Sequence, residues 1–486
     1  MTNRRDFLKG TAWMGAVAMA SGCMSKGGLG AGLGGVMNGY AAPALKQVRV
    51  GVVGLGHRGA GAVHRLAMIP GVTVAALCDF RADKLAAQVK WLADNKKPAA
   101  RQFTGDDGWK QMCDWDGIDV VYNVTDWSHH ASVALYAMRA GKHVFIEVPA
   151  AMTIDECWEL VETSEKTRRH CMQLENCCYG EEEMLGLNLV RKGMLGELVH
   201  GEGAYIHDLR MSNYKSEAAG GYWKRWRYEW NAAHKGNQYV THGLGPIAQY
   251  MDINRGDRFD FLVSLESNQA NFRAYAAAAF GPQSGDARRA VAMGDMNTTL
   301  VKTALGRSIM IQHDVSSPRP YSRLNLITGT KGVFQGMPWR TYGKKPSMMR
   351  LGFEDPEKPG SGVHEFYEEA KTAEIREKYR HPLWKKVGEI AKKVGGHGGM
   401  DFIMDLRWAY CLQNGLPLDM DVYDLAAWCS IAELSEKSVR SGSMPQKFPD
   451  FTRGGWKTAK PLGIVDVDLS KFDFKGVKKD ASALNV

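Results

Sequence analysis

Outside its N-terminal leader, this sequence has no apolar run of the about eighteen residues that a membrane-spanning helix needs. Its nine cysteines include no CxxC pair, which excludes the common zinc motifs and predicts buried free thiols and no metal site. Lys and Arg exceed Asp and Glu by 62 − 53 = 9, but they form no sustained basic run and are not interleaved with aromatic residues. Nucleic-acid binding is therefore not expected.

The composition is otherwise that of an ordinary folded protein. Hydrophobic residues make up 44% of the sequence, charged residues make up 24%, and there are 54 glycines. These values exclude a disordered chain. The length of 486 residues exceeds what one compact core usually holds, so we expect two domains.

The N-terminus has the pattern of an export signal. Arg4 and Arg5 precede a small, weakly apolar run, GTAWMGAVAMASG. We therefore predict twin-arginine export and a periplasmic location, and assign residues 1–42 to the signal and a flexible leader. A disordered cytoplasmic tail is the alternative. ASGC, which ends at Cys23, resembles a lipoprotein cleavage site, although Ala20 stands where leucine is usual. A lipid anchor at Cys23 is thus a second alternative.

A glycine-rich turn joins the first predicted strand to the first predicted helix. The segment VRVGVVGLGHRG is an apolar strand that leads into Gly54-x-Gly56-x-x-Gly59, and AGAVHRLAMI then follows as a helix. In a dinucleotide-binding fold the first glycine permits the tight turn, the second lets the backbone approach a pyrophosphate, and the third allows close packing of helix on strand. The free amides of the helix N-terminus then face the phosphates.

An acidic residue follows at a spacing typical of this fold. The second predicted strand, VTVAALCD, ends at Asp79, which is 79 − 54 = 25 positions after Gly54. Asp79 is expected to accept hydrogen bonds from the adenine ribose, which favours NAD over NADP. Arg81 is close enough in sequence to leave recognition of a 2′-phosphate open.

Strands and helices continue to alternate up to residue 175. GIDVVYNVT and KHVFIEVP are predicted strands with the helix HHASVALYAMRAG between them, so the fold class is α/β, with a Rossmann domain over residues 43–175. Ligands bind beyond the carboxyl ends of such strands. This places residues 125–130, Glu147 and Val148 near the nicotinamide. His129 and His130 either contact a ligand there or are polar residues at a helix N-terminus.

Residues 176–486 are predicted to form an α+β domain with a largely antiparallel open sheet. Several segments alternate as strands, and VHGEGAYIHD puts Tyr205 and His207 on one face. YVTHGLGP is predicted to be a loop before the helix IAQYMDIN. Residues 352–399 are predicted to be an exposed, mostly helical insertion, in which His397 of GGHGG either approaches the active site or belongs to a linker. Late helices are expected to return to the core.

One segment of this second half has an unusual composition. YWKRWRYEWN, residues 222–231, is rich in aromatic residues and arginine. Aromatic faces stack on the C–H surfaces of sugars, and guanidinium groups donate to hydroxyl or acyl oxygens. The segment therefore suits a carbohydrate pocket, and a packing loop anchored by tryptophans is the alternative.

With this order of elements, the sequence resembles the Gfo/Idh/MocA group of dehydrogenases. That group commonly has E-K-P after its fifth strand, whereas this sequence has Glu147-Val148-Pro149 and lacks the catalytic lysine. The closer resemblance is to glycoside hydrolase family 109, the NAD-dependent α-N-acetylgalactosaminidases and their relatives. It extends over residues 54–457 and is carried by GLGHRG, DWSHHA, EVPAAMTIDECWELVETSE, ENCCYG, YWKRWR, NQYVTHGLGPIAQYMDINRGDRFD, HGGMDFIMD and PDFTRGGWK.

The resemblance implies a tightly bound NAD that is not consumed and a glycoside substrate. The three glycines of the turn, Gly54, Gly56 and Gly59, are predicted cofactor contacts. The resemblance implies further cofactor contacts at His57, Arg58, Asp79, Trp127, His130, Glu147, Val148 and Asn176. The implied substrate contacts are Tyr205, Arg227, Tyr239, Val240, Thr241, His242 and Tyr321. In the segment around His242 the dehydrogenases often carry D-x-G-x-H. This sequence has Thr241 at the position of the aspartate and Gly245 at the position of the histidine.

The resemblance also implies the reaction. Hydride is taken from C3 of the terminal sugar, a base removes the C2 proton, the glycosidic oxygen leaves C1, water adds, and the hydride returns to C3. His242 is the leading candidate for the base because histidine titrates near neutrality. Tyr205 and Tyr321 are further candidates for proton transfer, and Arg227 is expected to orient the substrate and stabilise enolate charge.

Two other functions stay open. One is an exported NAD(P)-dependent sugar oxidoreductase, and the other is a non-catalytic carbohydrate-binding protein. A periplasmic location favours the glycosidase, because net oxidation there would stop after one turnover without a second substrate. The open sheet of the resembled group also predicts self-association into a homo-oligomer.

Overall fold

The computed structural model describes residues 36–337, 349–358 and 362–471. Residues 1–35 of the predicted signal and leader, with Arg4, Arg5 and Cys23, lie outside the described residues, whereas residues 36–42 are described and include the buried Met37 and Ala42. Within them, no helix is both long enough and apolar enough to cross a bilayer. The prediction of buried free thiols is confirmed for the cysteines of this part, which are Cys78, Cys113, Cys157, Cys171, Cys177, Cys178, Cys411 and Cys429.

The first half of the fold is a six-stranded parallel sheet with helices between the strands. The strands are β1 (Val48–Val53), β2 (Val72–Cys78), β3 (Arg101–Phe103), β4 (Val120–Asn123), β5 (His143–Ile146) and β6 (Cys171–Gln173). The helices are α1 (His57–Leu66), α2 (Ala82–Asp94), α3 (Gly108–Asp114), α4 (Trp127–Arg139) and α5 (Ile154–Thr167). The strand order β3-β2-β1-β4-β5-β6 reverses direction between β1 and β4, which confirms the predicted Rossmann fold.

Local sequence explains these elements. The central strands β4 and β5 are buried at every position, as expected for parallel strands covered on both faces. Helix α5 begins with a capping box, in which the Thr153 hydroxyl accepts from the Glu156 amide and the Glu156 carboxylate accepts from the Thr153 amide. The loops after β1, β4, β5 and β6 all emerge at the carboxyl edge of the sheet, where the candidate site residues lie.

The second half contains an eight-stranded sheet. Its strands are β7 (Leu198–Ile206), β8 (Phe259–Glu266), β9 (Asn297–Thr303), β10 (Ser308–Asp314), β11 (Leu324–Gly329), β12 (Gly332–Met337), β13 (Arg350–Phe353) and β14 (Gln446–Lys447). They lie in the order β13-β12-β11-β7-β10-β9-β8-β14. Only the pairing of β7 with β10 is parallel among those of the described strands. The predicted, largely antiparallel sheet is thus confirmed.

Eleven α-helices accompany this sheet in the described part of the chain. They are α6 (Glu181–Arg191), α7 (Arg210–Tyr214), α8 (Trp226–Ala233), α9 (Thr241–Tyr250), α10 (Asn271–Phe280), α11 (Gly285–Arg288), α12 (Glu369–Tyr379), α13 (Pro382–Val394), α14 (Met400–Asn414), α15 (Val422–Cys429) and α16 (Ile431–Arg440). Short 3₁₀ turns lie at Asn176–Tyr179, Glu217–Ala219, Trp223–Arg225, His397–Gly399, Gly455–Lys457 and Leu469–Lys471.

Two sequence predictions were wrong here. The segment YVTHGLGP is not a loop, because α9 already begins at Thr241 and includes Pro246. Its Gly243 serves close packing, since a Cβ there would lie 2.3 Å from the Ala204 amide nitrogen of β7. The region 352–399 is not simply an exposed insertion, because α13 buries Trp384 in the core and its indole donates to the Tyr179 carbonyl.

Helix α14 returns to the first sheet, as the sequence predicted for a late helix. The Asp405 carboxylate accepts hydrogen bonds from Arg65 of α1 at 2.9 Å and from the Tyr122 hydroxyl of β4 at 2.9 Å. The Trp408 ring stacks on Phe145 of β5 with ring centroids 4.3 Å apart. These contacts pack α14 against α1 and the central strands β4 and β5.

Candidate active site

The three glycines of the turn after β1 have different surroundings. Gly54 has a φ of +86°, and a Cβ there would lie 2.5 Å from the Val124 carbonyl oxygen. A Cβ on Gly59 would lie 1.8 Å from the Gly54 carbonyl oxygen, so this position needs glycine for the turn itself. A Cβ on Gly56 would meet no atom within 4 Å. The open space at Gly56, at the start of α1, fits the approach of a pyrophosphate to free amides.

Asp79 and Arg81 decide which dinucleotide this edge suits. The Asp79 carboxylate follows β2 and is held by the Leu55 amide at 2.6 Å and by the Arg81 amide at 2.8 Å. The Arg81 guanidinium pairs with Asp83 at 2.9 Å and also with Glu217. Because Arg81 is already bound to two carboxylates while Asp79 stands beside the turn, the site favours a ribose hydroxyl over a 2′-phosphate.

Arg58 links this turn to the second half of the chain. Its guanidinium pairs with Glu147 at 2.8 Å and with Asp401 of α14 at 2.8 Å. Asp401 is fully buried, and although burial opposes its ionisation, the neighbouring side chains of Arg58, His397 and Arg65 hold the pKa of its carboxyl well below its usual range. The charged groups of Arg58 and Glu147 are thus committed to protein partners, and their contact with NAD stays a prediction.

His130 is placed by the backbone and is not aimed at open space. Its ring nitrogens lie 2.8 Å from the Pro149 carbonyl oxygen and 3.0 Å from the Thr125 carbonyl oxygen. Burial lowers the pKa of its imidazole, although the two facing carbonyl oxygens act in the opposite direction. The side chain therefore holds together the loops after β4 and β5. The neighbouring His129 is exposed and bonds to Asp126, the N-cap of α4.

A cage of aromatic rings surrounds the Arg227 guanidinium. Its central carbon lies 4.6 Å from the ring centre of Tyr239, 5.2 Å from that of Trp127 and 5.8 Å from that of Tyr205. One nitrogen donates to the Tyr222 hydroxyl at 3.2 Å. The other two, Nε and Nη2, are buried and have no hydrogen-bond partner among the described residues. Unpaired buried donors are costly, so the cage is suited to bind an acceptor oxygen.

His242 lies in the first turn of α9 and is held by a buried carboxylate. Its Nδ1 is 2.8 Å from Oε1 of Glu175, and its Nε2 is 3.3 Å from the Tyr239 hydroxyl. Burial of Glu175 opposes ionisation, but the facing His242 and the Cys177 amide lower the pKa of the Glu175 carboxyl below its ordinary value. The carboxylate fixes the orientation of the imidazole, as in other proton-transfer sites in which a third group orients the base.

Tyr321 is held by a second buried ion pair. Arg323 donates to the Tyr321 hydroxyl at 3.0 Å and pairs with Glu183 at 2.5 Å. Because Arg323 donates a hydrogen bond to the hydroxyl oxygen of Tyr321, the hydroxyl proton of Tyr321 must point elsewhere. The Tyr205 and Tyr321 rings meet edge to face with centroids 6.0 Å apart, and the Tyr205 hydroxyl bonds to His207 at 3.0 Å. Tyr205 and His207 thus share a face, as predicted.

Glu175, Cys177 and His242 are also the only described group of side chains close enough together to hold a metal ion. Their donor atoms lie within 4.8 Å of one another. However, burial raises the pKa of the Cys177 thiol well above its usual value, so the thiol stays protonated. The remaining two groups bond to each other, and this arrangement suits proton transfer better than metal binding.

Comparison with known proteins places the chain in a family. Residues 179–458 match the model of "Glycosyl hydrolase 109, C-terminal domain", and residues 48–174 match "Oxidoreductase family, NAD-binding Rossmann fold". An alpha-N-acetylgalactosaminidase of Bacteroides fragilis is 48% identical over 419 residues, which cover 86% of this chain and 95% of that protein. The chain belongs to glycoside hydrolase family 109.

Other relatives give the same result. A family 109 protein of Solibacter usitatus is 45% identical over 470 residues, which cover 95% of this chain and 99% of the relative. Among solved structures, levoglucosan dehydrogenase in complex with NADH and levoglucosan matches with a TM-score of 0.61 at 18% identity, covering 83% of this chain and all of that one. This last likeness supports the fold alone.

The structure brings most predicted residues of this family 109 protein to one edge of the two sheets. One connected cluster of contacts is formed by Trp127, Arg227, Tyr205, Tyr239 and His242. The remaining predicted residues in this region are more enclosed: Val148, Val240, Thr241 and Asn176 are at most 3% exposed. Asn176 donates to Asp401, as part of the network around Arg58. Direct ligand contacts of these four stay predictions.

Sequence reasoning missed Glu175, Asp401 and Arg323. Glu175 directly precedes the predicted contact Asn176 and follows β6, so its place at the carboxyl edge of the sheet was a usable signal. Asp401 and Arg323 had no comparable local signal. His397, whose role was left open, does approach this region: its Nδ1 lies 3.0 Å from Asp401, and its side chain is 34% exposed.

Proposed function

We propose that this protein hydrolyses terminal α-N-acetylgalactosaminides, or closely related hexosides, by a cycle in which NAD is retained and no net oxidation occurs. The observation that carries the proposal is the His242–Glu175 pair, which lies beside the Arg227 cage in a chain with a dinucleotide-binding turn. A dehydrogenase of this fold would use a lysine at the position of Val148, whereas here the polar groups suited to proton transfer are His242 and Glu175. The relative from Bacteroides fragilis, an alpha-N-acetylgalactosaminidase, agrees with this proposal.

The turn at Gly56 and the carboxylate of Asp79 would hold the cofactor. The ion pairs of Arg58 with Glu147 and Asp401 would hold the loops on the nicotinamide side in position. Bound NAD supplies a hydride acceptor for C3 of the sugar that also gives the hydride back. The Asp79 carboxylate would accept from the adenine ribose, and the free amides at the start of α1 would face the phosphates.

His242 is proposed to remove the proton at C2 through Nε2. Its Nδ1 is held by the Glu175 carboxylate, which leaves Nε2 as the nitrogen that faces the Tyr239 hydroxyl and the cage. The negative charge of Glu175 stabilises the imidazolium that forms when the proton arrives. The pair thus provides a base that is oriented and electrostatically supported.

The cage is proposed to hold the sugar. The unpaired Nε and Nη2 of Arg227 would donate to an acceptor oxygen, for which the acyl carbonyl of an N-acetyl group is a suitable candidate. The same cation would stabilise negative charge that develops when C2 loses its proton. Tyr321, whose oxygen accepts from Arg323, would donate its proton to a sugar hydroxyl.

His397 is a second candidate for proton transfer. Like His242 it is held through Nδ1 by a buried carboxylate, in this case Asp401. It lies in a turn of glycines with positive φ, including Gly396 and Gly398, and it is more exposed than His242. An exposed imidazole in such a turn suits transfer to the leaving glycosidic oxygen. Comparing His242→Ala with His397→Ala on substrates with good and poor leaving groups would separate the two roles.

An activity screen with NAD measured on the same sample tests the proposal. We expect purified protein to contain NAD and to cleave an aryl α-N-acetylgalactosaminide without added cofactor. Protein that contains no NAD and cleaves none of the aryl hexosaminides or hexosides, even with NAD⁺ added, would contradict it. Accumulation of NADH and a keto-sugar would instead support an oxidoreductase, and binding without turnover would support a carbohydrate-binding protein.

We also propose export by the twin-arginine route, with a periplasmic mature protein. The support is the Arg4-Arg5 pair before a weakly apolar run. Folding before export would let the protein carry its NAD with it, which suits a cofactor that is not consumed. Fractionation of cells that express wild type or the double substitution Arg4→Lys and Arg5→Lys tests this. Metabolic labelling with a fatty acid tests lipidation of Cys23, and sedimentation velocity would measure self-association.

A further inference from the structure

A segment of the second half of the chain lies against the adenosine edge of the cofactor site. We call residues 215–225 the strap. The strap contains two 3₁₀ turns, Glu217–Ala219 and Trp223–Arg225, and it leads directly into α8. Its contacts reach two loops of the Rossmann half: the loop after β2, which carries Phe80 and Arg81, and the start of α1 at His57.

Four contacts join the strap to these loops. The Trp223 ring meets the Phe80 ring edge to face with centroids 5.1 Å apart, and the Arg81 guanidinium lies 5.0 Å from the centre of Trp223. Arg81 also pairs with Glu217. The Tyr222 ring lies 6.3 Å from the His57 ring, at the start of the helix that faces the phosphate site.

The two aromatic rings at this contact are unusually exposed. Phe80 is 55% exposed and Trp223 is 38% exposed. Their apolar surfaces face solvent next to Asp79, the residue that is suited to the adenine ribose. The ribose carries the adenine, so the residues that directly follow Asp79 border the place that the base must occupy. A flat aromatic base would cover exposed ring surface there by stacking, as aromatic groups commonly do.

We propose that the strap retains the cofactor, with the adenine stacking on the exposed surface of the touching Phe80 and Trp223 rings and the Arg81–Glu217 pair holding the strap in place. The inference rests on the proposed function only in its cofactor, NAD, and does not depend on which glycoside is cleaved. Release of NAD then requires the contacts of Trp223 with Phe80 and Arg81 to break. This explains how a chain that does not consume its cofactor keeps it through repeated turnovers.

The strap also connects the two ends of the site. Tyr222 accepts a hydrogen bond from Arg227, and its ring packs on Trp226 with centroids 5.2 Å apart. Opening of the strap would therefore also disturb the cage that is proposed to bind the sugar. Retention of NAD and formation of the sugar pocket are thus coupled through one short segment.

Measuring NAD release in the absence of any glycoside tests the proposal. Full-length wild type, Trp223→Ala, Trp223→Phe and the control Phe366→Ala are purified with their NAD, and release into excess apo-dehydrogenase is followed by fluorescence. Phe366 is an exposed aromatic residue that contacts Arg350 in the other sheet. Where a sample loses NAD during purification, the dissociation constant of added NAD is measured by titration instead.

We expect Trp223→Ala to release NAD about tenfold faster or to bind it about tenfold more weakly, a change that corresponds to about 1.4 kcal/mol. Trp223→Phe keeps a ring and should stay close to wild type, as should Phe366→Ala. Equal retention by Trp223→Ala and wild type would overturn the proposal, and so would an equal loss in Phe366→Ala. If the strap variants behave as expected but wild type cleaves no glycoside, the glycosidase proposal fails while the strap proposal stands.

Discussion

Replacing Glu175 by glutamine tests whether the carboxylate that faces His242 supports proton transfer. Glu175 is fully buried, and its two oxygens lie 2.8 and 3.0 Å from Nδ1 of His242. Glutamine keeps the shape and can still accept a hydrogen bond, but it lacks the charge that stabilises an imidazolium. Because hydrogen bonds to charged groups contribute about 1.5–3 kcal/mol, we expect kcat to fall about 10- to 100-fold.

The assay is release of the aryl group from an aryl α-N-acetylgalactosaminide at saturating substrate and NAD. NAD content and thermal unfolding are measured on the same sample, because Glu175 neighbours the predicted cofactor contact Asn176. Glu165→Gln is the matched control: Glu165 is also a buried glutamate, and it bonds to Tyr423 and Arg453. The control should keep the wild-type kcat. A Glu175→Gln variant with full NAD content and wild-type kcat would refute the role of the pair.

Three further predictions follow from other parts of the site. Gly56→Ala should unfold at the wild-type temperature but bind NAD more weakly. Gly59→Ala should lose about 2 kcal/mol or more of unfolding free energy, because its Cβ would clash with the backbone. Differential scanning calorimetry and NAD titration check both variants. Tyr321→Phe should lower kcat about tenfold at unchanged NAD content, since one proton donor is lost, and a rate equal to wild type would contradict this. Asp401→Asn should lower the unfolding free energy by about 3 kcal/mol at pH 7, because it removes the charge of a fully buried carboxylate that pairs with Arg58 and Arg65, and leaves Arg58 with Glu147 alone. The pKa of Asp401 is depressed in the folded state, so its contribution to the unfolding free energy is full above the ordinary pKa of 3.8 and is lost as the pH falls below that value. The stability of the variant should therefore approach that of wild type in acid. A difference in unfolding free energy that does not shrink between pH 7 and pH 3 would contradict this role of Asp401.

The cofactor half could be predicted from the sequence because its constraints are local. The fixed spacing reveals the glycines of the turn, of which Gly54 and Gly59 are needed for backbone reasons, and Asp79 directly follows a strand that is apolar except for Thr73. The neighbouring buried strands are recognisable because both faces of the sheet are covered. The same local logic misread α9, where Gly243 and Pro246 suggested a loop. There glycine allows the helix to approach β7 closely, which a single sequence does not distinguish from a turn.

The paired charges of the site could not be predicted in this way. His242 and Glu175 are 67 residues apart, and Arg58 and Asp401 are 343 residues apart. Each pair joins elements whose proximity depends on the complete fold. An isolated acidic residue such as Asp401 in α14 carries no pattern that distinguishes it from a residue on a solvated helix face. The unpaired donors of Arg227 are likewise visible only when the surrounding rings are in place.

In the proposed reaction the protein hydrolyses a glycoside through loss and return of the C2 proton, while its NAD is unchanged overall. Incorporation of solvent deuterium into the released sugar is the decisive test of this reaction. The substrate is cleaved in D₂O by enzyme that contains only its retained NAD, and the released sugar is analysed by NMR. We expect deuterium at C2, many turnovers per NAD, and no net formation of NADH. Release of a sugar that carries no deuterium at C2, or turnover that stops after one equivalent with NADH formed, would contradict it.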